Sequence, residues 1–399
     1  MQSLIDRMLT ANRVLKINNY YAAEGVKLVY SGTDFFEKLV ALIRSSHSIL
    51  HFQTYIYDED ETGLQIAHEL KEAAKRGVKI YMLLDAFGSK DLSNPFVEDL
   101  KKAGIHIRFF APFFSKNTIN LGRRMHHKVV VVDDAVALVG GINISNKYRG
   151  SATENPWLDY AILVKGGVCE KASKICSDIL NKKFIFSIQF SRAAQPVSDT
   201  LVRFRQNDQF RRRRQISKGY LQAIKRSKSS IIFVSSYFLP GRRILKALKK
   251  AANRGVQVTI VLSANSDIIL FGRATSHLYS SLMKQGITIY EWQNSILHGK
   301  IAMVDEEWVT IGSFNLNYLS ALSSIELNVE AIDATLVSEL KSHLAFIIQD
   351  GCKKIDYNSY QKDNTLKKRF TNTLAYYLTR AFLKGLAVFP RFLRWGRED

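Results

Sequence analysis

His126-His127-Lys128-Val129-Val130-Val131-Val132-Asp133-Asp134-Ala135-Val136-Ala137-Leu138-Val139-Gly140-Gly141-Ile142-Asn143 decides how the chain is read, because its pattern returns at residues 298–315. In both copies a Lys stands two residues after a His, an Asp follows that Lys by five, and a Gly-Gly or Gly-Ser pair precedes x-Asn at the same distance beyond. The four residues between Lys and Asp are apolar in both (Val129 to Val132; Ile301, Ala302, Met303, Val304), which predicts a strand buried on both faces. Residues two apart on a strand point to one side, so His126 with Lys128, and His298 with Lys300, share a face at the strand mouth. Asp133-Asp134 and Asp305-Glu306 supply a turn into a second apolar run, and Gly140-Gly141 and Gly312-Ser313 end it where the backbone needs room. A His and a Lys at a strand mouth, with an Asn brought near by a glycine turn, make a candidate anion site. Two copies can make one site between them.

Working outward, the repeat extends to the flanks. Gly25–Tyr30 reads as a strand, 32–44 as a helix on the spacing of Phe35, Phe36, Leu39, Val40 and Ile43, 48–57 as a strand, 62–76 as a helix closed by Gly77, and 78–84 and 104–110 as strands. The order returns as helix 219–226, strand 230–238, helix 243–254, then strands 256–262 and 286–292. Local likeness accompanies it: Lys71 to Val78 resembles Lys249 to Val256, and Tyr55 matches Tyr237. Helices alternating with strands imply an α/β fold, and duplication implies two similar halves facing each other. The expected division is a leader at 1–24, a first half at 25–170, a joining stretch at 171–215, a second half at 216–350 and a basic tail at 351–399. The join carries Arg211-Arg212-Arg213-Arg214, read equally well as a solvated run or as a phosphate-binding one.

A chain of 399 residues with 46% apolar and 23% charged side chains is a folded globular protein with room for substantial cores. Three cysteines without metal-ligand spacing argue against a disulfide framework and for a reducing compartment. The formal net charge of +21 calls for anionic partners, a phospholipid surface or nucleic acid, and does not choose between them. The N-terminus has no apolar core of signal-peptide length and no run reaches the ~18 apolar residues of a spanning helix, so the expectation is a soluble or peripheral protein.

Attack on a phosphodiester needs a nucleophile, an acid for the departing alcohol and positive charge on the phosphoryl oxygens. A neutral imidazole attacks phosphorus when a carboxylate on its other nitrogen fixes the tautomer, and an opposing imidazolium protonates the departing oxygen. Lys128, Lys300, Asn143 and Asn315 then hold the phosphate charge with no metal and no cofactor. Candidate orienting carboxylates lie on the next strand of each half: Asp159 in Pro156-Trp157-Leu158-Asp159-Tyr160 and Glu326 in Ser323-Ser324-Ile325-Glu326-Leu327. Both sit in apolar runs where an unpaired carboxylate is costly; Glu154 and Glu330 are weaker candidates. His127 is expected on the opposite face, and His47, His51, His68, His106, His277 and His343 belong to no constellation.

The double motif resembles that of the phospholipase D superfamily: His-x-Lys, four residues, Asp, six residues, Gly-Gly or Gly-Ser, x, Asn. The likeness narrows to the bacterial cardiolipin synthases, of the shorter type without N-terminal membrane helices, at Tyr55-Ile56-Tyr57-Asp58, Thr62-Gly63, Arg76-Gly77-Val78, Leu83 to Ser89, Trp157-Leu158-Asp159, Ser236 to Pro240 and Gly312-Ser313-Phe314-Asn315. It covers roughly residues 25–350. It implies two halves, each a mixed β-sheet flanked by helices, across one active site. The catalytic set it implies is His126, Lys128, Asp133, His298, Lys300 and Asp305, with Asp133 and Asp305 holding the turn, and with Asp159 and Glu326 bonded to the histidines. His126 would be the nucleophile that becomes a phosphohistidine and His298 the general acid/base, a choice that the residues alone do not make. The reaction implied is transfer of a phosphatidyl group from one phosphatidylglycerol to another with release of glycerol; phosphatidylethanolamine as second lipid stays open. Rivals are a phospholipase D that hydrolyses phospholipids and a nuclease of the same superfamily. The expected partner is an anionic membrane carrying phosphatidylglycerol and cardiolipin, on the cytoplasmic side of the bacterial cell membrane, with no nucleic acid; the oligomeric state is open.

The tail, 366–395, lies outside both repeats. Leu374, Tyr377, Leu378, Ala381, Phe382, Gly385, Leu386 and Phe389 recur at helical spacing until Pro390, flanked by Lys367, Lys368, Arg369, Arg391, Arg394 and Arg397. An interfacial helix on anionic headgroups is the expectation, and a terminal helix packed on the protein's own core is the alternative.

Overall fold

The computed structural model describes residues 19–112, 114–115, 118–119, 123–181, 198–208 and 213–392. The expected leader up to residue 18, Arg211 and Arg212 of the basic run, and Arg394 and Arg397 of the tail lie outside them.

Each motif forms a hairpin at the centre of its own sheet. In the first sheet the order is Gly25–Tyr30, Tyr160–Lys165, Val136–Gly140, Lys128–Val132, Ile49–Thr54, Lys79–Asp85, His106–Phe110. In the second it is Tyr21–Ala22, Leu201–Asp208, Glu326–Ile332, Trp308–Gly312, Lys300–Val304, Ser230–Ser235, Gln257–Ser263, Thr288–Trp292, Cys352–Lys354. The mixed pattern is the same in both. Ile49–Thr54 runs parallel to Lys79–Asp85 and antiparallel to the motif strand, and Ser230–Ser235 stands likewise between Gln257–Ser263 and Lys300–Val304.

Strand periodicity accounts for the all-apolar runs. Val129 and Val131 face a central core shared by the two sheets, while Val130 and Val132 face an outer core under helices Thr33–Arg44, Glu61–Lys75 and Asn94–Lys102. In the second half Ile301 and Met303 point to the same central core, and Ala302 and Val304 to the outer one beneath Gln215–Arg226, Arg242–Asn253 and Ile269–Met283. Both faces are covered, so no polar position is needed. The two sheets thus pack through one central core, to which helix Glu170–Leu180 adds Ile175 and Ile179 and helix Ala334–Gly351 adds Leu340, Leu344 and Ile347.

The motif aspartates are turn residues. Asp133 is at φ +50° and accepts from the backbone N–H of His47, Ser48 and Ile49 (2.9, 2.8 and 2.9 Å); Asp305, at φ +54°, accepts from Lys228, Ser229 and Ser230 (2.9, 2.8 and 3.0 Å). Each carboxylate ties the motif hairpin to the start of the neighbouring strand. Burial alone would raise the Asp133 carboxyl, and the three N–H donors outweigh it and hold it low.

Four features differ from the expected organisation. The stretch 171–215 contributes most of helix Glu170–Leu180, the strand Leu201–Asp208 and the pair Arg213–Arg214, which bonds to Asn207–Asp208. Its strand was masked by charge: Arg203, Arg205, Asn207 and Asp208 interrupt the apolar alternation, and Arg205 is buried against Glu330 (2.7 Å). At the end of the expected leader, Tyr21–Ala22 pairs with Leu201–Val202 at the edge of the second sheet, not the first. Helix Ile269–Met283, unread because Gly272, Ser276, Ser280 and Ser281 dilute its pattern, covers the second sheet. The tail helix runs Leu366–Phe392, so Pro390 lies within it rather than ending it.

Asp133→Ala removes three acceptor contacts and leaves alanine in a left-handed conformation that costs it about 1 kcal/mol; a total loss of roughly 2–4 kcal/mol is expected. Asp133→Asn, which keeps an acceptor and tolerates that conformation, should recover at least about half of it. Chemical denaturation of the two variants measures this, and equal midpoints for alanine and wild type would show that the contacts contribute nothing.

Candidate active site

The two motif histidines are placed by strands of the opposite half. Met125 pairs with Ile325, and Leu297 with Leu158, as short parallel bridges across the boundary. Through them the His126 N–H donates to Ile325 O (2.9 Å) and the His298 N–H to Leu158 O (2.8 Å), while Ile325 and Leu158 N–H donate back to Arg124 O and Ile296 O. A polar side chain at the end of the third strand holds each preceding residue: Asp85 accepts from Met125 N–H (2.8 Å) and Ser263 Oγ from Leu297 N–H (2.9 Å). Burial pushes the Asp85 carboxyl up despite these donors and Arg124.

The residue after each bridge partner is the carboxylate. Glu326 therefore meets His126 (Nδ1 to Oε2, 3.1 Å) and Asp159 meets His298 (Nδ1 to Oδ2, 2.6 Å). Both orienting acids are those read from sequence, but each serves the histidine of the other half, because the bridge pairs strands across the boundary. Glu154, the weaker candidate, is exposed, and Glu330 pairs with Arg205 and Tyr20 instead.

The lysines are buried beside the rings. Lys128 donates to the carbonyl of its own His126 (2.6 Å) and lies 5.1 Å from the centre of the Tyr55 ring. Lys300 donates to the His298 carbonyl, with Nζ 2.8 Å from His298 Nδ1 and 3.5 Å from Asp159 Oδ2. Asn143 accepts from Ile56 N–H (3.0 Å) and donates to the Tyr148 hydroxyl (2.8 Å), which stands 3.4 Å from His298 Nδ1; Asn315 accepts from Ser236 Oγ (2.7 Å). The expected set is thus gathered in one place, except Asp133 and Asp305, which sit at the far ends of their strands.

Two tight positions keep the arrangement. A Cβ on Gly141 would lie 2.4 Å from Asp159 Oδ1, so the first copy needs glycine there. The second copy has Ser313, whose hydroxyl donates to Glu326 Oε2 and accepts from Leu327 N–H (3.1 Å).

Burial sets the charge states. His126 is pushed below the usual imidazole value by burial, with Lys128 adding to it and Glu326 opposing, and His298 falls to about 4 through burial and Lys300. Both rings are thus disposed to the neutral form, each with Nδ1 against a carboxylate. Burial works to raise Asp159, but Lys300 and His298 outweigh it and keep it ionised. Burial, and then the facing Lys300, lower Lys128 to about 7; Lys300 is lowered chiefly by burial. Two crowded ammonium groups beside neutral imidazoles are complementary to an anionic phosphodiester.

Sequence reasoning missed the aromatic surround. The Tyr55 ring is 5.0 Å from His126, while Tyr148, Trp157 and Tyr237 lie 5.4, 5.9 and 6.4 Å from His298. The repeated Tyr55 and Tyr237 were the available signal. His127 points away from this site, as expected, to Gln53 (2.8 Å). His343, assigned no constellation, lies 3.0 Å from the hydroxyl of Tyr160, the neighbour of Asp159.

A phosphodiester between the lysines should raise both of their pKa values, so free and bound protein differ. The expected kcat/KM falls as pH rises through about 7, where Lys128 loses its proton, whereas kcat keeps its activity to higher pH. Profiles of both constants check this; a kcat/KM flat between about 6.5 and 9 would show that no buried ammonium titrates there. Gly141→Ala should displace Asp159 and lower kcat at least about tenfold, while Ser313→Gly, which removes a hydroxyl contact from Glu326 without driving a new atom into it, should cost less.

Residues 39–161 and 220–347 match the family model described as "Cardiolipin synthase, PLD-like domain". Cardiolipin synthase B of Salmonella typhi is 33% identical over 376 residues, covering 90% of this chain and 88% of that protein. Cardiolipin synthase B of Escherichia coli K12 is 32% identical over 367 residues with the same coverage, and cardiolipin synthase 1 of Bacillus anthracis is 29% identical over 366, covering 86% and 70%. Among solved structures, phosphatidylserine synthase from Haemophilus influenzae superposes with a TM-score of 0.74 at 14% identity, over 95% of this chain and 99% of that one. Polyphosphate kinase from Porphyromonas gingivalis gives 0.58 at 15% identity, over 84% and 49%; at these identities the likeness is one of fold. The paired motif, the shared sheet order and relatives matched along nine-tenths of the sequence together mean that the chain belongs to the cardiolipin synthase family of phospholipase D-like proteins.

Proposed function

We propose that the protein makes cardiolipin by moving a phosphatidyl group from one phosphatidylglycerol to the hydroxyl of a second, through a phosphohistidine on His126. The observation that carries this reading is the crossed pair of imidazoles, each with Nδ1 on a buried carboxylate of the other half and each lowered in pKa by burial, beside two buried lysines.

His126 is the better placed of the two for attack. Its side chain is 16% exposed against 7% for His298, so an incoming lipid phosphate meets it first. In the first step the Nε2 lone pair of His126 forms a bond to phosphorus and the bond to the glycerol oxygen breaks. His298, protonated once the phosphate anion lies between the lysines, gives its Nε2 proton to that oxygen, and Asp159 steadies the charged ring. In the second step a hydroxyl of the acceptor phosphatidylglycerol loses its proton to His298 Nε2 and attacks phosphorus, and the bond to His126 breaks. Lys128 and Lys300 hold the phosphoryl oxygens throughout, and the Nδ1–H to Glu326 bond offsets charge on His126 while it is phosphorylated.

The substrate is a membrane lipid, and no helix among the described residues is long and apolar enough to cross a bilayer. The reading has the enzyme working at the membrane surface, on its cytoplasmic side, on phosphatidylglycerol it meets there.

Purified protein on phosphatidylglycerol liposomes should give cardiolipin and glycerol in equal amounts, and His126→Ala, Lys128→Ala or Lys300→Ala should each lose at least about a thousandfold. Phosphatidic acid as the main product would mean that water is the acceptor, and near-normal turnover by His126→Ala would sink the phosphohistidine. Activity is also expected to survive exhaustive chelation, since the ammonium groups supply the charge. A loss restored by added divalent ion would count against it.

A further inference from the structure

The tail helix Leu366–Phe392 has two apolar faces, and the fold uses one. Ala375, Tyr376 and Leu383 are buried, together with Asn372, Thr379 and Arg380, where the helix packs on Ile269–Met283. His277 stacks on Tyr376 (4.5 Å) and bonds to Thr373 (3.1 Å), and Arg380 donates to the hydroxyls of Tyr376 and Tyr318. Leu366, Phe370, Leu374, Tyr377, Leu378 and Phe382 are between 47% and 82% exposed. At 3.6 residues per turn this stripe stands on the side of the helix roughly opposite the buried one. The helix carries no acidic residue, and Lys367, Lys368, Arg369 and Lys384 are exposed along it.

Exposed apolar residues also stand near the site. Ile268, Ile269 and Leu270, all exposed, begin the helix on which the tail packs and precede Phe271, whose ring is 4.9 Å from Tyr237 beside His298. In the first half, exposed Phe87 lies under Arg124 (5.4 Å), one residue from the Met125 that precedes His126. Exposed Arg242, Arg243 and Lys246 occupy the next helix, Arg242–Asn253, which Lys249 ties to Ser281 (2.5 Å).

We propose that the outer stripe of the tail helix, with Ile268–Leu270 and Phe87, is the surface by which the protein inserts into an anionic bilayer, with the helix lying in the plane of the headgroups. This rests on the reading that the substrates are membrane phospholipids and adds which face meets them. A stripe flanked by cations, with no acidic side chain on its helix, fits an anionic interface, where apolar side chains enter the acyl boundary and lysines and arginines stay with the phosphates. Exposed apolar residues near each histidine, Ile268–Leu270 beside Phe271 and Phe87 beside Arg124, would bring the site to the same interface.

The test is a full-length variant combining Leu374→Glu, Leu378→Glu and Phe382→Glu, none of which packs on the core. Sedimentation with phosphatidylglycerol vesicles should weaken at least about tenfold relative to wild type, while turnover of monomeric short-chain phosphatidylglycerol and the circular dichroism spectrum stay unchanged. Wild-type partition by the folded variant would overturn the proposal. So would a wild-type dimer in light scattering that the variant breaks while vesicle binding is kept, which would assign the stripe to a second copy of the chain. Vesicle partition is measured without turnover, so a failure of cardiolipin synthesis would count against the catalytic reading and leave this result standing.

Discussion

Two histidine–carboxylate hydrogen bonds cross the boundary between the halves, between His126 and Glu326 and between His298 and Asp159, and the rest of the site depends on their crossing. A histidine oriented by a carboxylate of its own half would be competent in an isolated half. Here each half holds one nucleophilic or acidic ring and the acid that belongs to the other, so the pair exists only when the sheets are docked. The docking is correspondingly secure: the inner faces of both sheets and two long helices share one continuous core, and backbone bridges flank each histidine. Removing apolar surface from water supplies the energy, while the bridges and acids set the register.

The same docking creates the site's electrostatic tension. Two ammonium and two carboxylate groups, nearly all without contact with water, balance in number, and burial penalises every one of them. The penalty is unevenly relieved. Asp159 has both Lys300 and His298 at hand and stays ionised, whereas Lys128 looks across at Lys300 and gives up its proton near 7. An anion placed between the lysines relieves that mutual repulsion. In the proposed reaction a phosphate between the lysines would remove this repulsion, so that charge complementarity is turned toward the reacting group rather than toward folding.

Much of this was legible in sequence because the duplication gave every inference a second instance. The motif strands and the turn aspartates stand where spacing put them, and the two acids named through the family resemblance lie against the motif histidines. What sequence could not supply was pairing across space. Asp159 and Glu326 were recognisable as costly buried acids, but spacing along one half says nothing about which half faces which, so their exchange of partners is a property of docking. The edges of the domains were illegible for a different reason. Leu201–Asp208 carries buried Arg205 and Asp208, which read as solvent-exposed charge until Glu330 and Arg123 are found beside them. The tail showed its spacing yet hid its division of labour, since a helix with two apolar faces gives a broad pattern that does not reveal which face the core takes.

The two copies, alike in backbone, differ in the side chains around their histidines. Between His and Lys the first has His127, turned toward Gln53, and the second has Gly299, where a Cβ would come within 2.8 Å of the Tyr160 ring. Tyr160 follows Asp159 directly, so the first half presses an acid and an aromatic ring together against the second motif, enclosing His298 and Lys300. Nothing so bulky follows Glu326, whose next residue is Leu327, and His126 keeps its opening. Ser313 meanwhile shares Glu326 with His126, so that this carboxylate is held by a hydroxyl as well as by the ring, while Gly141 leaves Asp159 to His298 and Lys300. A ring that must bond to phosphorus needs access and an acid whose position does not change as the ring gains charge. A ring that must take and return a proton needs enclosure and an acid that stays ionised. The divergence of the copies leaves the more open environment at His126, the ring proposed here to bond to phosphorus.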